Sequence, residues 1–347
     1  MLSVISDDKV SQWSSQRILM RVDYNCPMSD GRVTDATRID RTLAGIKRLT
    51  DAGASVILMS HFGRPKGVRQ AEMSLAPVRA YLSDILGYDV IKTQSDPTKI
   101  NLTQFSQPLI FIYSSILIDL FKKSFSKTIL ENNISLAGHS LGEYSALYFS
   151  NALDFESMLK LVSLRGNSMA NVSDPNKFGM FAILTKEKIN TEIFNENVFL
   201  ANINSDKQVV ICGTKKNLDD FKEKNKIGKY IPLNVSAPFH SRLMEDSSNI
   251  FLSSAKNFTF KDSSYDLISN HNLMNYKKLN TQDYSKQLAK QIFSTVEWSS
   301  TINNFISNGT NDFYEIGPKK TLLNFLPRKD EIKTYPFCSF EDINNYV

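Results

Sequence analysis

The stretch Ile134–Gly142, ISLAGHSLG, constrains the fold more than any other part of the chain. A short strand, Ile134–Gly138, runs without a linker into Gly138-His139-Ser140-Leu141-Gly142, and Glu143–Asn151 continues as a helix. A strand that becomes a helix within one pentapeptide needs a sharp backbone bend, so glycine is expected on both sides of the serine, where side chains have no room. Such a bend holds Ser140 Oγ outward at the helix N-terminus. Backbone N–H groups and the positive end of the helix dipole there favour a developing oxyanion.

A serine hydroxyl is hardly ionised at neutral pH and needs a base. The chain has four histidines, His61, His139, His240 and His271. His139 adjoins the serine within the bend, where its side chain projects elsewhere. His240 follows the strand-like Tyr230–Val235 and the structure-breaking Pro238, which puts it on a loop at a strand end. It is the candidate base.

Composition divides the chain. Residues 1–92 hold nine Arg, four Lys and one Asn, whereas residues 93–347 hold three Arg, 25 Lys and 28 Asn. Arg and Lys serve alike on most solvated surfaces, so folding does not account for the switch. It reads as two sequences of different origin joined near Ile91–Lys99, and a length of 347 residues allows two cores. Two domains are expected, 1–92 and 93–347.

In the first, Arg17–Asn25 and Ala54–Ser60 read as buried strands, and Thr37–Ala52 and Leu75–Leu86 as amphipathic helices. This is the order of a parallel α/β sheet, whose ligands sit at the carboxyl ends of strands. Those ends carry Asp23 and Asn25 on one strand and His61, Gly63 and Arg64 past the other, with Arg38 opening the helix between them. The set suits an anionic, hydroxylated ligand, because Arg makes planar two-point contacts to carboxylate or phosphate.

Other classes are not indicated. No apolar run reaches the roughly 18 residues of a membrane span, and MLSVISDDKV lacks the basic and apolar regions of a secretory signal, so a cytoplasmic, non-membrane protein is expected. Cys26, Cys212 and Cys338 are widely spaced without a C-x-x-C pair, which predicts neither a disulfide framework nor a metal site. The net charge of +5 comes without a dense Lys/Arg run interleaved with aromatics, so no nucleic-acid partner is expected.

RVDYNCP, DGRVTDATRI and SHFGRPKG resemble the N-terminal segment of phosphoglycerate kinase over about residues 15–90. The resemblance implies that Asp23, Asn25, Arg38, His61 and Arg64 contact 3-phosphoglycerate. The nucleotide-binding half of that family has no counterpart downstream, and phosphoryl transfer without a nucleotide site has no donor.

GHSLGEYSA, then LVSLRGNSM, NINSDKQVVICG, VSAPFHSRLM and FYEIGPKKTL resemble, in order, the malonyl-CoA:acyl-carrier-protein transacylase family over about residues 100–335. The resemblance implies an α/β fold: an α/β-hydrolase-like core with a ferredoxin-like subdomain inserted at about Asp174–Asn234, preceded by the partial parallel α/β segment. It implies Ser140 as acyl-accepting nucleophile, His240 as its base, Arg165 as the partner of the malonyl carboxylate, and the Gln291 backbone carbonyl as the group orienting His240. Leu141 would supply one oxyanion N–H, and Asn204 lies near the pocket or forms a turn. Malonyl-CoA and acyl carrier protein are the implied substrate and partner of a monomer, with no metal or other cofactor. The family's opening Gly-Gln-Gly-Ser-Gln segment has no match here, so the resemblance implies one oxyanion donor fewer and a slower reaction. Two other readings stay open: a phosphoglycerate-binding fragment, and a non-catalytic chimeric product.

Overall fold

The computed structural model describes residues 13–14, 16–63, 70–87, 90, 102–124, 134–171, 174, 177–194, 197–235, 237–339 and 342. The chain forms two compact units, Met1–Ile100 and Asn101–Val347.

In the first unit, strand Arg17–Arg21 pairs in parallel with Ser55–Met59, Leu19 facing Ile57. Helix Thr37–Asp51 connects them and buries Ile39, Ile46 and Leu49, the apolar positions that recur at helical spacing. Helix Ala76–Leu86 follows and stops at Gly87, whose φ of 73° needs a residue without a Cβ. Tyr24, Cys26, Ile39, Val78 and Leu82 form the core. The parallel pairing brings the carboxyl ends of both strands to one end of the sheet.

The second unit holds the serine bend. Its strand, Ser135–Ala137, pairs in parallel with Asp266–Ile268, and Asp312–Ile316 pairs in parallel with Lys333–Phe337. Leu136 on the first of these strands packs into two cores. One is built on Phe111, Leu147, Met158, Phe251 and Leu288, the other on Leu117, Ile118, Phe121, Phe149 and Phe337.

Helix Thr103–Ser124 corrects the expectation that no run is long and apolar enough for a membrane: by length and composition it is. Part of its apolar surface has an internal use, since Phe111, Leu117, Ile118 and Phe121 are buried in these cores, while Phe105 and Ile110 are exposed. Pro108 lies inside this helix. Its missing N–H leaves the Gln104 carbonyl without a helical partner. Helix Phe155–Ala170 packs tightly at that turn, where a Cβ on Gly166 would sit 3.1 Å from both Gln104 Cα and the Thr103 oxygen.

The inserted subdomain is an antiparallel four-stranded sheet in the order Val198–Ser205, Gln208–Thr214, Phe178–Leu184, Lys229–Pro232. Numbered along the chain, this is 2-3-1-4, the order of a ferredoxin-like sheet. Helix Lys215–Lys224 lies between the third and fourth strands, and among the described residues a short turn of helix, Thr191–Ile193, stands between the first two. The last strand ends at Pro232, earlier than the expected Val235, although Leu233 N still donates to the Met180 carbonyl of the neighbouring strand at 3.0 Å.

Candidate active site

Ser140 sits at φ 52°, in the left-handed region, which is where a sharp strand-to-helix bend puts its central residue. The two flanking glycines differ. A Cβ on Gly138 would lie 1.9 Å from Gly142 C and 2.3 Å from Glu143 N, so the bend closes only over glycine there. At Gly142 a Cβ would meet nothing within 4 Å, which corrects the expectation that both glycines are needed for space. Helix Gly142–Phe149 starts at once, and among the described residues no backbone hydrogen bond takes up the Leu141 N–H beside the serine.

His240 Nε2 lies 2.8 Å from Ser140 Oγ, and His240 Nδ1 lies 2.9 Å from the Gln291 backbone carbonyl. A carbonyl only accepts, so Nδ1 carries the proton and Nε2 is the free base facing the hydroxyl. The His240 main chain is anchored to the same segment, its backbone N–H donating to the Ile292 carbonyl at 3.2 Å. Burial, and secondly the charge of Arg165, push the His240 pKa down to about 3. The imidazole is therefore neutral, as a base must be before it takes a proton.

Arg165 is 1 % exposed, on helix Phe155–Ala170, and reaches the serine from the other side. One guanidinium nitrogen, Nη2, donates to Ser140 Oγ at 3.0 Å and to Gln291 Oε1 at 2.8 Å. The other, Nη1, donates to Gln107 Oε1 at 2.7 Å, across the close helix contact that Gly166 permits. Its Nε has no partner among the described residues, so donor capacity remains for an incoming anion. The face of the guanidinium lies 5.2 Å from the Tyr144 ring centroid, which eases its desolvation.

The Gln291 side chain was expected to matter only for its backbone. Its Nε2 donates to the Ser140 carbonyl at 2.8 Å and to Glu143 Oε2 at 3.0 Å. Glu143, wholly buried, also accepts from Tyr276 at 2.6 Å and from Asn270 Nδ2 at 2.5 Å. Burial pushes its carboxyl pKa up against these donors. Sequence reasoning missed Gln107, Glu143, Asn270 and Tyr276 as site residues. The signal for two of them was present: a glutamine in a largely apolar helix, and an acid inside GEYSALYF.

His139 faces away from the serine oxygen, as expected. Its Nε2 meets Asn204 Oδ1 at 2.9 Å and its ring meets the Trp298 ring edge-on at 5.6 Å. Asn204 lies in strand Val198–Ser205 and is not a turn-former. Beside His240, a cavity of about 300 Å³ opens between Ser241 and Phe293 on one side and Phe194, Phe199 and Leu200 on the other.

In the first unit Arg38 Nη1 donates to Asp23 Oδ2 at 2.5 Å, both side chains exposed. Asn25 N donates to Asp23 Oδ1 at 3.1 Å, and Gly63 N to Asn25 Oδ1 at 3.2 Å, which ties the two strand ends together. His61 is exposed just past the second strand. Arg64 lies outside the described residues. Among the described residues no group of three His, Cys, Asp or Glu could hold a metal ion.

Residues 67–333 match the family model for the acyl transferase domain, and residues 8–105 match that for phosphoglycerate kinase. A malonyl CoA-acyl carrier protein transacylase of Synechocystis sp. is 35% identical over 253 residues, 71% of this chain and 82% of that protein. A polyketide-biosynthesis malonyl CoA-acyl carrier protein transacylase of Bacillus subtilis is 33% identical over 260 residues, 71% of this chain and 85% of that protein. The crystal structure of the Synechocystis malonyl-CoA:ACP transacylase aligns at a TM-score of 0.63 and 30% identity, covering 77% of this chain and 89% of that one.

Proposed function

The chain belongs to the acyl transferase domain family, and from that premise we propose a malonyl-CoA:acyl-carrier-protein S-malonyltransferase that works through an ester on Ser140. The observation that carries the reading is convergence on one oxygen: the His240 base at 2.8 Å and the Arg165 guanidinium at 3.0 Å both meet Ser140 Oγ. A single methylene separates the reacting carbonyl of a malonyl thioester from its free carboxylate. An anion-binding group for that acyl group therefore belongs close to the nucleophile, and a plain esterase has no use for a buried guanidinium there.

In the first half-reaction Ser140 Oγ attacks the thioester carbonyl while His240 Nε2 takes its proton, and the Leu141 N–H faces the resulting oxyanion. Collapse breaks the C–S bond, and coenzyme A leaves as the thiol with the proton from His240. The second half runs in reverse with the phosphopantetheine thiol of acyl carrier protein, which leaves carrying the malonyl group. Arg165 exchanges its bond to Ser140 for the malonyl carboxylate, while Gln107 and Gln291 keep its fork in place.

If the Leu141 N–H is the one oxyanion donor, as the lack of a Gly-Gln-Gly-Ser-Gln match implies, the expected rate is about 10²–10³ below that of a site with two. Intact mass after exposure to malonyl-CoA tests the proposal. A malonyl adduct on the wild type that Ser140→Ala lacks supports it; a folded wild type without adduct overturns it.

For residues 8–105 the phosphoglycerate kinase match supports a second reading, binding of 3-phosphoglycerate at Asp23, Asn25, Arg38 and His61, and with them Arg64. Arg38 would have to leave Asp23 to take the phosphate or carboxylate. A calorimetric titration with 3-phosphoglycerate that shows no heat ends this reading.

A further inference from the structure

Glu143 takes no part in the reaction just described, yet it is wholly buried one turn beyond the nucleophile. Burying a carboxyl is costly unless its oxygens are fully engaged. Here they are: Oε1 accepts from the Tyr276 hydroxyl at 2.6 Å, and Oε2 accepts from Asn270 Nδ2 at 2.5 Å, Gln291 Nε2 at 3.0 Å and Asn270 N at 3.4 Å. All four contacts are donors, and a carboxylate offers about four lone-pair sites for them.

Two of these donors are themselves tied to the bend. Asn270 Nδ2 also donates to the Gly138 carbonyl at 2.6 Å, and Gln291 Nε2 to the Ser140 carbonyl at 2.8 Å. The second tie has a consequence for Arg165. An amide group has one donor end and one acceptor end, and its orientation follows its partners. With its NH₂ between two acceptors, the Ser140 carbonyl and Glu143 Oε2, Gln291 turns its Oε1 toward Arg165 Nη2. Without Glu143 one of the two acceptors is gone. With the Ser140 carbonyl alone left to hold its NH₂, the Gln291 side chain can swing out of place and take its Oε1 away from Arg165 Nη2, which then loses a partner that fixes its position.

We propose that Glu143 is a positioning residue that orients the Gln291 amide and thereby holds Arg165 where it selects a carboxylated acyl group. The inference rests on the proposed transacylase reading. The acceptor oxygen carries the effect, and the negative charge does not. Glu143→Gln keeps an oxygen for Gln291 and Asn270 and can turn its NH₂ to the Tyr276 hydroxyl, which accepts as well as donates. Glu143→Met keeps the volume and removes the acceptor.

The readout is the ratio of kcat/KM for malonyl-CoA to that for acetyl-CoA, which lacks the carboxylate, measured as adduct formation on Ser140. Glu143→Met and Gln291→Met should each lower the ratio about tenfold or more, chiefly through a higher KM for malonyl-CoA, and the double variant should fall no further. Glu143→Gln should hold the ratio within about threefold of the wild type. A folded Glu143→Met that slows both substrates equally, with the ratio intact, overturns the proposal, because a merely structural role predicts that outcome. So does a Glu143→Gln that loses the ratio as fully as the methionine variant does. If Glu143→Met does not fold, Gln291→Met decides, since an unchanged ratio there means the route through the amide is idle. A wild type that forms no malonyl adduct fails the transacylase reading itself, before any variant is compared.

Discussion

The two glycines that flank Ser140 look equivalent in the sequence and should behave in opposite ways. In Gly138→Ala the new methyl carbon would lie 1.9 Å from Gly142 C, 2.0 Å from Gly142 O and 2.3 Å from Glu143 N. All three are backbone atoms of the bend, so no side chain can swing aside and the bend itself must open. Steric conflicts of this kind belong to the exceptional class of substitutions that cost above about 4 kcal/mol. In Gly142→Ala the new carbon meets nothing within 4 Å, at the first residue of the helix. Alanine is the better helix former by up to about 1 kcal/mol, so this change should be neutral or mildly stabilising. The two variants should differ by about 5 kcal/mol or more. Urea unfolding followed by Trp298 fluorescence measures the difference, in a Trp13→Phe background so that only the second unit reports. Equal losses from the two substitutions would refute the reasoning, for they would mean that the bend is tight on both sides or on neither.

Arg165→Lys keeps a charge but cannot span Gln107, Gln291 and Ser140 with one ammonium, so malonyl adduct formation should slow at least about tenfold; a near-wild-type rate means that charge alone suffices. The His240 ring, held at about 3 by burial and by Arg165, stays neutral in the fold while the unfolded ring takes a proton near 6.5. Stability contributed by this group is therefore complete above pH 6.5 and falls as the pH drops toward 3, by about 1.4 kcal/mol per pH unit. Comparing the pH dependence of unfolding in wild type and His240→Gln isolates that slope, and identical curves contradict it. The same shift predicts that adduct formation persists at pH 5, with no acid limb near 6.5. Asp154 caps helix Phe155–Ala170 by accepting from Ser157 N at 2.8 Å, so Asp154→Ala should cost about 1 kcal/mol in urea unfolding, and no loss would show the cap to be idle.

Much of the site was legible because its parts are local or chemically rare. The bend at Gly138–Gly142 follows from backbone sterics within five residues. His240 was singled out by its place on a loop after a strand and by the motif resemblance, and Arg165 by the same resemblance, which the family relationship supports. The strand and helix positions were read from periodicity to within a few residues, since burial on one face repeats along a segment whatever it packs against.

What the sequence determined by itself was the kind of chemistry and the elements that carry it. Tertiary structure alone decided the rest, for a physical reason: a hydrogen bond between residues far apart leaves no periodic trace at either end. Gln107 and Arg165 meet because Gly166 lets two helices approach closely, and Glu143, Asn270, Tyr276 and Gln291 meet because separate segments converge under the bend. The helix Thr103–Ser124 has the composition of a membrane helix, and only the tertiary structure shows that Phe111, Leu117, Ile118 and Phe121 pack into cores while Phe105 and Ile110 stay exposed. Gly142 likewise has the same side chain as Gly138, and only the position of neighbouring backbone separates a glycine the bend requires from one it merely contains.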